Sequence, residues 1–179
     1  MSSLLRLQSR SVKDETAVDI LNECQNRIRS IALIHEKLYQ SQDFARIDFA
    51  DYIQNMVTHL ISFHSGVGGR VNFRLEAADV KLDINQAMPC GLIVNELVSN
   101  VLKHAFPQGR KGDLIIRLGV LDGGRYQLAV KDTGVGLAQD IDLKNAETLG
   151  FQIVGDLVKQ LEGSIEIVRD GGTEFILRF

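Results

Sequence analysis

The sequence predicts an α+β fold, a two-layer α/β sandwich with a mixed sheet, preceded by a helical hairpin remnant. Three observations lead there. The last third holds alternating segments at 113–121 and 125–132, joined through Asp122-Gly123-Gly124, and at 164–169 and 173–179, joined around Asp170-Gly171-Gly172. Such short links make hairpins, which parallel doubly wound sheets lack. Long apolar-periodic helices stand between the strands. The first forty residues read as helices with a turn between them.

Taken in order, residues 4–12 carry Leu4, Leu5 and Leu7 among polar residues with no capping signal before them. A turn is predicted near Ser11 to Lys13, and Asp14 is placed to cap the next helix. In that helix Ala17, Leu21, Cys24, Ile28, Ile31, His35 and Leu38 recur at alternating steps of four and three. This spacing marks a packed helix seam, and two helices bury little alone, so a second copy of the chain is its simplest partner. A third helix starts at Asp48, with Asp51 in its first turn and a wide apolar stripe from Phe49 to Ile61. Gly66 to Gly69 end it, and Val71, Phe73 and Leu75 alternate as a strand. A fourth helix spans about Gln86 to His104, with Pro89 tolerated near its first turn. Residues 133–149 read as a loop, and a last helix covers about 150–162. The predicted division is 1–44 for the hairpin part and 45–179 for the second domain.

Composition narrows the functions. Of 179 residues, 45% are hydrophobic and 24% charged, ordinary for a globular protein, and the net charge is -3. Neither a nucleic-acid surface nor an anionic-membrane surface is advertised. Cys24 and Cys90 lie in apolar helical patterns and read as small buried hydrophobes, with no zinc-like spacing. No apolar run reaches the ~18 residues of a membrane span. The start, Met1-Ser2-Ser3-Leu4-Leu5-Arg6, lacks the pattern of a signal peptide, so a cytoplasmic location is expected.

Four segments carry candidate chemistry. Glu96, Asn100, Lys103 and His104 lie at i, i+4, i+7 and i+8 of a helix otherwise apolar nearly all round. Such a stripe is either a solvated face or a site whose polar groups a ligand satisfies. Asp132-Thr133-Gly134-Val135-Gly136 follows a strand, where a carboxylate and a closely approaching backbone can meet a ligand, although turns share this composition. Gly150 opens the last helix, whose free N–H groups suit a phosphate or simply join loop to helix. Gly171-Gly172-Thr173-Glu174-Phe175 reads by itself as a hairpin turn.

In this order and spacing the four resemble the nucleotide site of the ATPase superfamily shared by gyrase, MutL proteins and histidine kinases. Asn95 to Phe106 is similar to its N box, Asp132 to Gly136 to its first glycine box, Thr148 to Phe151 to its second, and Gly172 to Phe175 to its last segment. Upstream, Ser3 to Arg10 resembles the end of the first helix of a kinase dimerisation and phosphoacceptor hairpin. Arg27 to Tyr39 resembles its second helix.

The resemblance implies a sensor histidine kinase catalytic region that binds ATP and Mg²⁺, with a response-regulator receiver domain as partner. Asn100 would offer oxygen to Mg²⁺, and Glu96 would polarise or position the nucleophile. Lys103 and His104 would contact phosphates, and Asp132 would accept from the adenine amino group. Gly134, Gly136 and Gly150 would admit close backbone approach, and Thr173 would support the adenine end. The family's acceptor histidine precedes the serine-leucine run, so this chain is expected not to phosphorylate itself. His35 falls on the apolar seam, while His59 and His64 are expected to be surface or packing residues. Two other functions fit less well: an ATP-hydrolysing switch of the same superfamily, and a nucleotide-binding adaptor without chemistry.

Overall fold

The computed structural model describes residues 14–40, 46–64, 70–138 and 148–179. Helix α1, Glu15–Gln40, opens the described chain. Asp14 Oδ1 accepts from Ala17 N–H at 3.4 Å, which fulfils its capping role. The predicted helix at 4–12 and turn at 11–13 lie outside the described residues.

Strand β1, Ile47–Asp48, leads directly into helix α2, Phe49–Phe63. The Asp48 carboxylate accepts from Asp51 N–H at 3.0 Å. Strands β2, Val71–Ala77, and β3, Lys81–Leu82, precede helix α3, Ile84–Asn100. This helix begins earlier than its apolar pattern suggests, because Asp83 caps it by accepting from Asn85 and Gln86 N–H at 2.7 and 3.1 Å. Pro89 therefore stands inside the helix, in its second turn, and not near its start. From Val101 to Ala105 the helix widens into a single π-turn.

Strands β4, Gly112–Val120, and β5, Tyr126–Asp132, then helix α4, Leu149–Gln160, and strands β6, Ser164–Val168, and β7, Thr173–Arg178, complete the fold. The sheet order is β2-β4-β5-β7-β6, with β2 parallel to β4 and the other pairs antiparallel. The mixed α+β sandwich is as the sequence predicts. The short β1–β3 ribbon is additional.

Register puts one apolar row on the inner face. Ile116 stands opposite Val130, and Val130 opposite Phe175; Leu118 stands opposite Leu128, and Leu128 opposite Leu177. All but Phe175, at 6%, are at most 3% exposed. The alternate positions include charged residues. Arg117 pairs with Glu76 and Glu174, and Arg178 with Glu166. Helices α2, α3 and α4 cover the inner face, with α3 in contact with both of the others, and α1 packs on α2, α3 and β1. Ile34 of α1 is fully buried, as are Phe49, Tyr52, Ile53, Ile93 and Val94 of α2 and α3. Burying such side chains stabilises the layer by roughly 1.5–3 kcal/mol each.

Candidate functional site

The inner-face row ends in polar residues. Asp132 stands last in β5, opposite Leu114 on one side and Thr173 on the other. It is 3% exposed. Its carboxylate accepts from Gly134 N–H at 2.7 Å and from the backbone and hydroxyl of Thr173. Burial pushes its pKa above the ordinary carboxylate value, and these hydrogen bonds and the Arg110 charge pull partly against that. Asp132 thus sits in an apolar floor with an anion-stabilising collar.

The tight turn behind it depends on missing side chains. Gly172 adopts φ +133°, and a Cβ there would run into the Asp132 carbonyl oxygen. Gly134 packs beneath the π-turn, where a Cβ would strike Ala105, and Val135 N–H donates to the Ala105 carbonyl at 3.0 Å. The first glycine segment is thereby tied to the end of α3.

A cavity of about 450 Å³ opens between α3, the ends of β5 and β7, and the start of α4. That is within the size range of small-molecule sites. Glu96, Asn100, His104, Asp132, Gly136, Gly150 and Thr173 all line it. Two residues singled out in the sequence do not. Gly134 is buried behind the wall, and Lys103 is exposed beside it. The π-turn explains Lys103: past Asn100 the chain leaves the 3.6-residue period on which the i+7 position was counted.

The structure adds lining residues to which no role was assigned from the sequence. Asn95, Ser99, Thr148, Phe151 and Phe175 lie within the motif segments and line the cavity too, as does Leu137 outside them. Arg27 of α1 approaches Glu96 from outside it, with Nε 2.7 Å from Oε1 and Nη2 2.7 Å from Oε2. A second face of α1, Arg27, Ser30 and Ile34 at i, i+3 and i+7, was the only sequence signal of this contact. The histidines follow the expectation where they are described. His64 Nδ1 lies 2.9 Å from the Leu60 carbonyl oxygen. His59 is half-buried, and burial together with the Arg29 charge lowers its pKa. The His35 side chain lies outside the described residues. Cys90 is fully buried with its thiol pKa pushed up by burial, while Cys24 is only half-buried.

The seam residues Ala17, Leu21, Cys24, Ile28 and Ile31 are half-buried. Among the described residues no helix is long and apolar enough to cross a membrane.

Comparison with known proteins agrees with this arrangement. Residues 1–64 match the family model described as histidine kinase, and residues 85–179 match histidine kinase-, DNA gyrase B-, and HSP90-like ATPase. The chain is 31% identical over 183 residues to the sensor histidine kinase PdtaS of Mycobacterium tuberculosis, covering 99% of this chain and 36% of that protein. It is 32% identical over 146 residues to blue-light-activated histidine kinase 2 of Erythrobacter litoralis, covering 78% and 42%. The chain thus spans well under half the length of the curated relatives it matches. The histidine kinase domain of the Erythrobacter litoralis EL346 blue-light activated histidine kinase superimposes with TM-score 0.79 at 23% identity, covering 99% of this chain and 93% of that one. Its fold is the fold described above. The chain belongs to the histidine kinase-, DNA gyrase B-, and HSP90-like ATPase family, and its first 64 residues match the histidine kinase model.

Proposed function

We propose that residues 45–179 bind Mg·ATP and deliver its γ-phosphoryl group to a histidine of the hairpin domain, 1–44 being part of that domain. Onward transfer to the aspartate of a response-regulator receiver domain would follow. One observation carries the reading: Glu96, Asn100, Asp132, Gly150 and Thr173, far apart in sequence, converge on a single cavity.

The residue chemistry supports each role. A buried carboxylate already collared by donors is suited to accept from an adenine amino group, and Thr173 holds it in place. The N-terminus of α4 at Leu149 and Gly150 offers N–H groups to phosphate oxygens. His104 lines the cavity and can contact phosphate. Magnesium fits the donor set. Among the described residues no three His, Cys, Asp or Glu side chains form a ready metal cage. Asn100 would hold the ion by its side-chain oxygen, with phosphate oxygens and water completing the shell, as Mg²⁺ prefers. When bound, the ion would neutralise phosphate charge. Phosphoryl transfer needs this positioning and neutralisation more than covalent help from the protein. The half-buried seam of α1 supports a homodimer through the hairpin.

Incubation with γ-labelled ATP and a supplied hairpin segment bearing the acceptor histidine tests the transfer. Acid-labile label on that hairpin is expected. Label released only as inorganic phosphate would instead make the chain a hydrolysing switch.

A further inference from the structure

Glu96 lines the nucleotide cavity, yet both of its oxygens are engaged by Arg27 at 2.7 Å. The two side chains are only 15% and 10% exposed. A two-point guanidinium–carboxylate pair of this kind is among the stronger polar contacts. It is one part of a built interface between α1 and α3. Asn95 Nδ2 donates to Ser30 Oγ at 3.0 Å, and Ser30 Oγ donates to the Asn26 carbonyl at 3.0 Å. Ile34 closes the far end, fully buried against the Gly91 position. Glu96 Oε2 also lies 3.0 Å from where a Gly150 Cβ would stand. One carboxylate therefore touches the docked helix and the phosphate-facing end of the cavity.

Resting on the nucleotide reading above, we propose that Arg27 is a positioning residue that holds Glu96 away from water activation, so that docking of α1 suppresses hydrolysis of bound ATP. In the suppressed reaction a water oxygen bonds to the γ-phosphorus. The bond from that phosphorus to the β–γ bridging oxygen breaks, and its electron pair leaves with ADP. The water proton passes to Glu96. Protonation neutralises Glu96, so its ion pair with the mostly buried Arg27 guanidinium is lost in the transition state. An interaction stronger before the transition state than in it slows the step. Swinging α1 away frees the carboxylate. The kinase then keeps its ATP for transfer while the hairpin is seated.

The test measures inorganic phosphate release and ATP affinity for the whole chain and its variants. Arg27→Ala should raise kcat for hydrolysis about tenfold or more with KM unchanged, the scale of one lost charge-assisted contact. Arg27→Lys, which keeps the charge without the fork, should fall between. Arg27→Ala/Glu96→Gln should lose the gain, which a merely structural loosening of α1 would retain. Should Arg27→Ala fail to fold, Arg27→Gln carries the same comparison. Hydrolysis equal to or slower than the parent's in folded, ATP-binding Arg27 variants overturns the inference, as does a gain that persists with Glu96→Gln. A parent chain that does not bind ATP overturns the nucleotide reading itself, and this inference with it.

Discussion

Replacing Asp132 by Asn changes one atom and one charge at the floor of the cavity. The side chain is buried and cannot swing into solvent, since Gly134 N–H holds Oδ1 at 2.7 Å and Thr173 donates to the same carboxylate. In Asp132→Asn the amide oxygen keeps those donors best, which turns the new NH₂ toward the cavity. An adenine amino group would then meet a donor where it met an acceptor. Loss of a hydrogen bond to a charged group costs about 1.5–3 kcal/mol. That corresponds to roughly ten- to a hundredfold weaker binding. Calorimetry of Mg·ATP binding to parent and variant reads this directly, with thermal melting as the control for folding. The same pair titrated with a nucleotide lacking the exocyclic amino group should show far less difference, because the contact at issue is then absent. Equal ATP affinity in a folded Asp132→Asn protein, or an equal loss with both nucleotides, refutes Asp132 as the adenine acceptor.

Further tests address the same architecture. Because burial raises the Asp132 pKa, its neutral form favours the folded state below the ordinary carboxylate value, and that contribution is lost as pH rises through the raised value. Adenine recognition has the opposite sign, so ADP affinity should fall as pH drops into the window just above the ordinary carboxylate range, measured by calorimetry, with the slope flattened in Asp132→Asn. Gly172→Ala should destabilise the domain by at least about 2 kcal/mol in chemical denaturation, since φ +133° and the Asp132 carbonyl both oppose a Cβ; a change within error would mean that the turn relaxes freely. Ile34→Ala should cost about 2–5 kcal/mol if α1 is an integral layer, and a separately melting helix would show almost none of this in the main transition.

Much of the fold was legible because it is locally encoded. The Asp14 and Asp48 caps, the Asp-Gly-Gly links and the period-two runs of β4 and β5 each act within a few residues, and each appears where its chemistry points. The start of α3 shows the same rule from the other side. Asp83 is a capping residue in the sequence, but its helix begins with Ile84-Asn85-Gln86, too polar to extend the apolar pattern back to it. The π-turn at 101–105 was not legible. Nothing within Val101-Leu102-Lys103-His104-Ala105 favours a wider turn; the Ala105 carbonyl accepts from Val135, thirty residues later. The helical period that put Lys103 on one stripe with Glu96 and Asn100 is abandoned there.

Arg27 was illegible for a deeper reason. Its partner lies 69 residues away, on a different helix, and the 4-3 seam through Ile28 and Ile31 accounts for the most conspicuous pattern of α1 without it. Yet α1 has two faces with work to do. The seam face is half-buried and still has surface to cover, whereas the adjoining face, through Asn26, Ser30 and Ile34, is already sealed against α3 and α2. The sealed face contains polar groups where apolar side chains would seal the interface at less desolvation cost. A buried pair such as Arg27–Glu96 contributes little net stability over hydrophobic packing, but removing either partner is expensive because the other charge stays behind. Such a contact specifies one seating of the helix sharply while remaining breakable as a unit. That profile suits the docking and release of α1 proposed above. On the reading proposed above, it would place a carboxylate that lines the cavity under the control of α1.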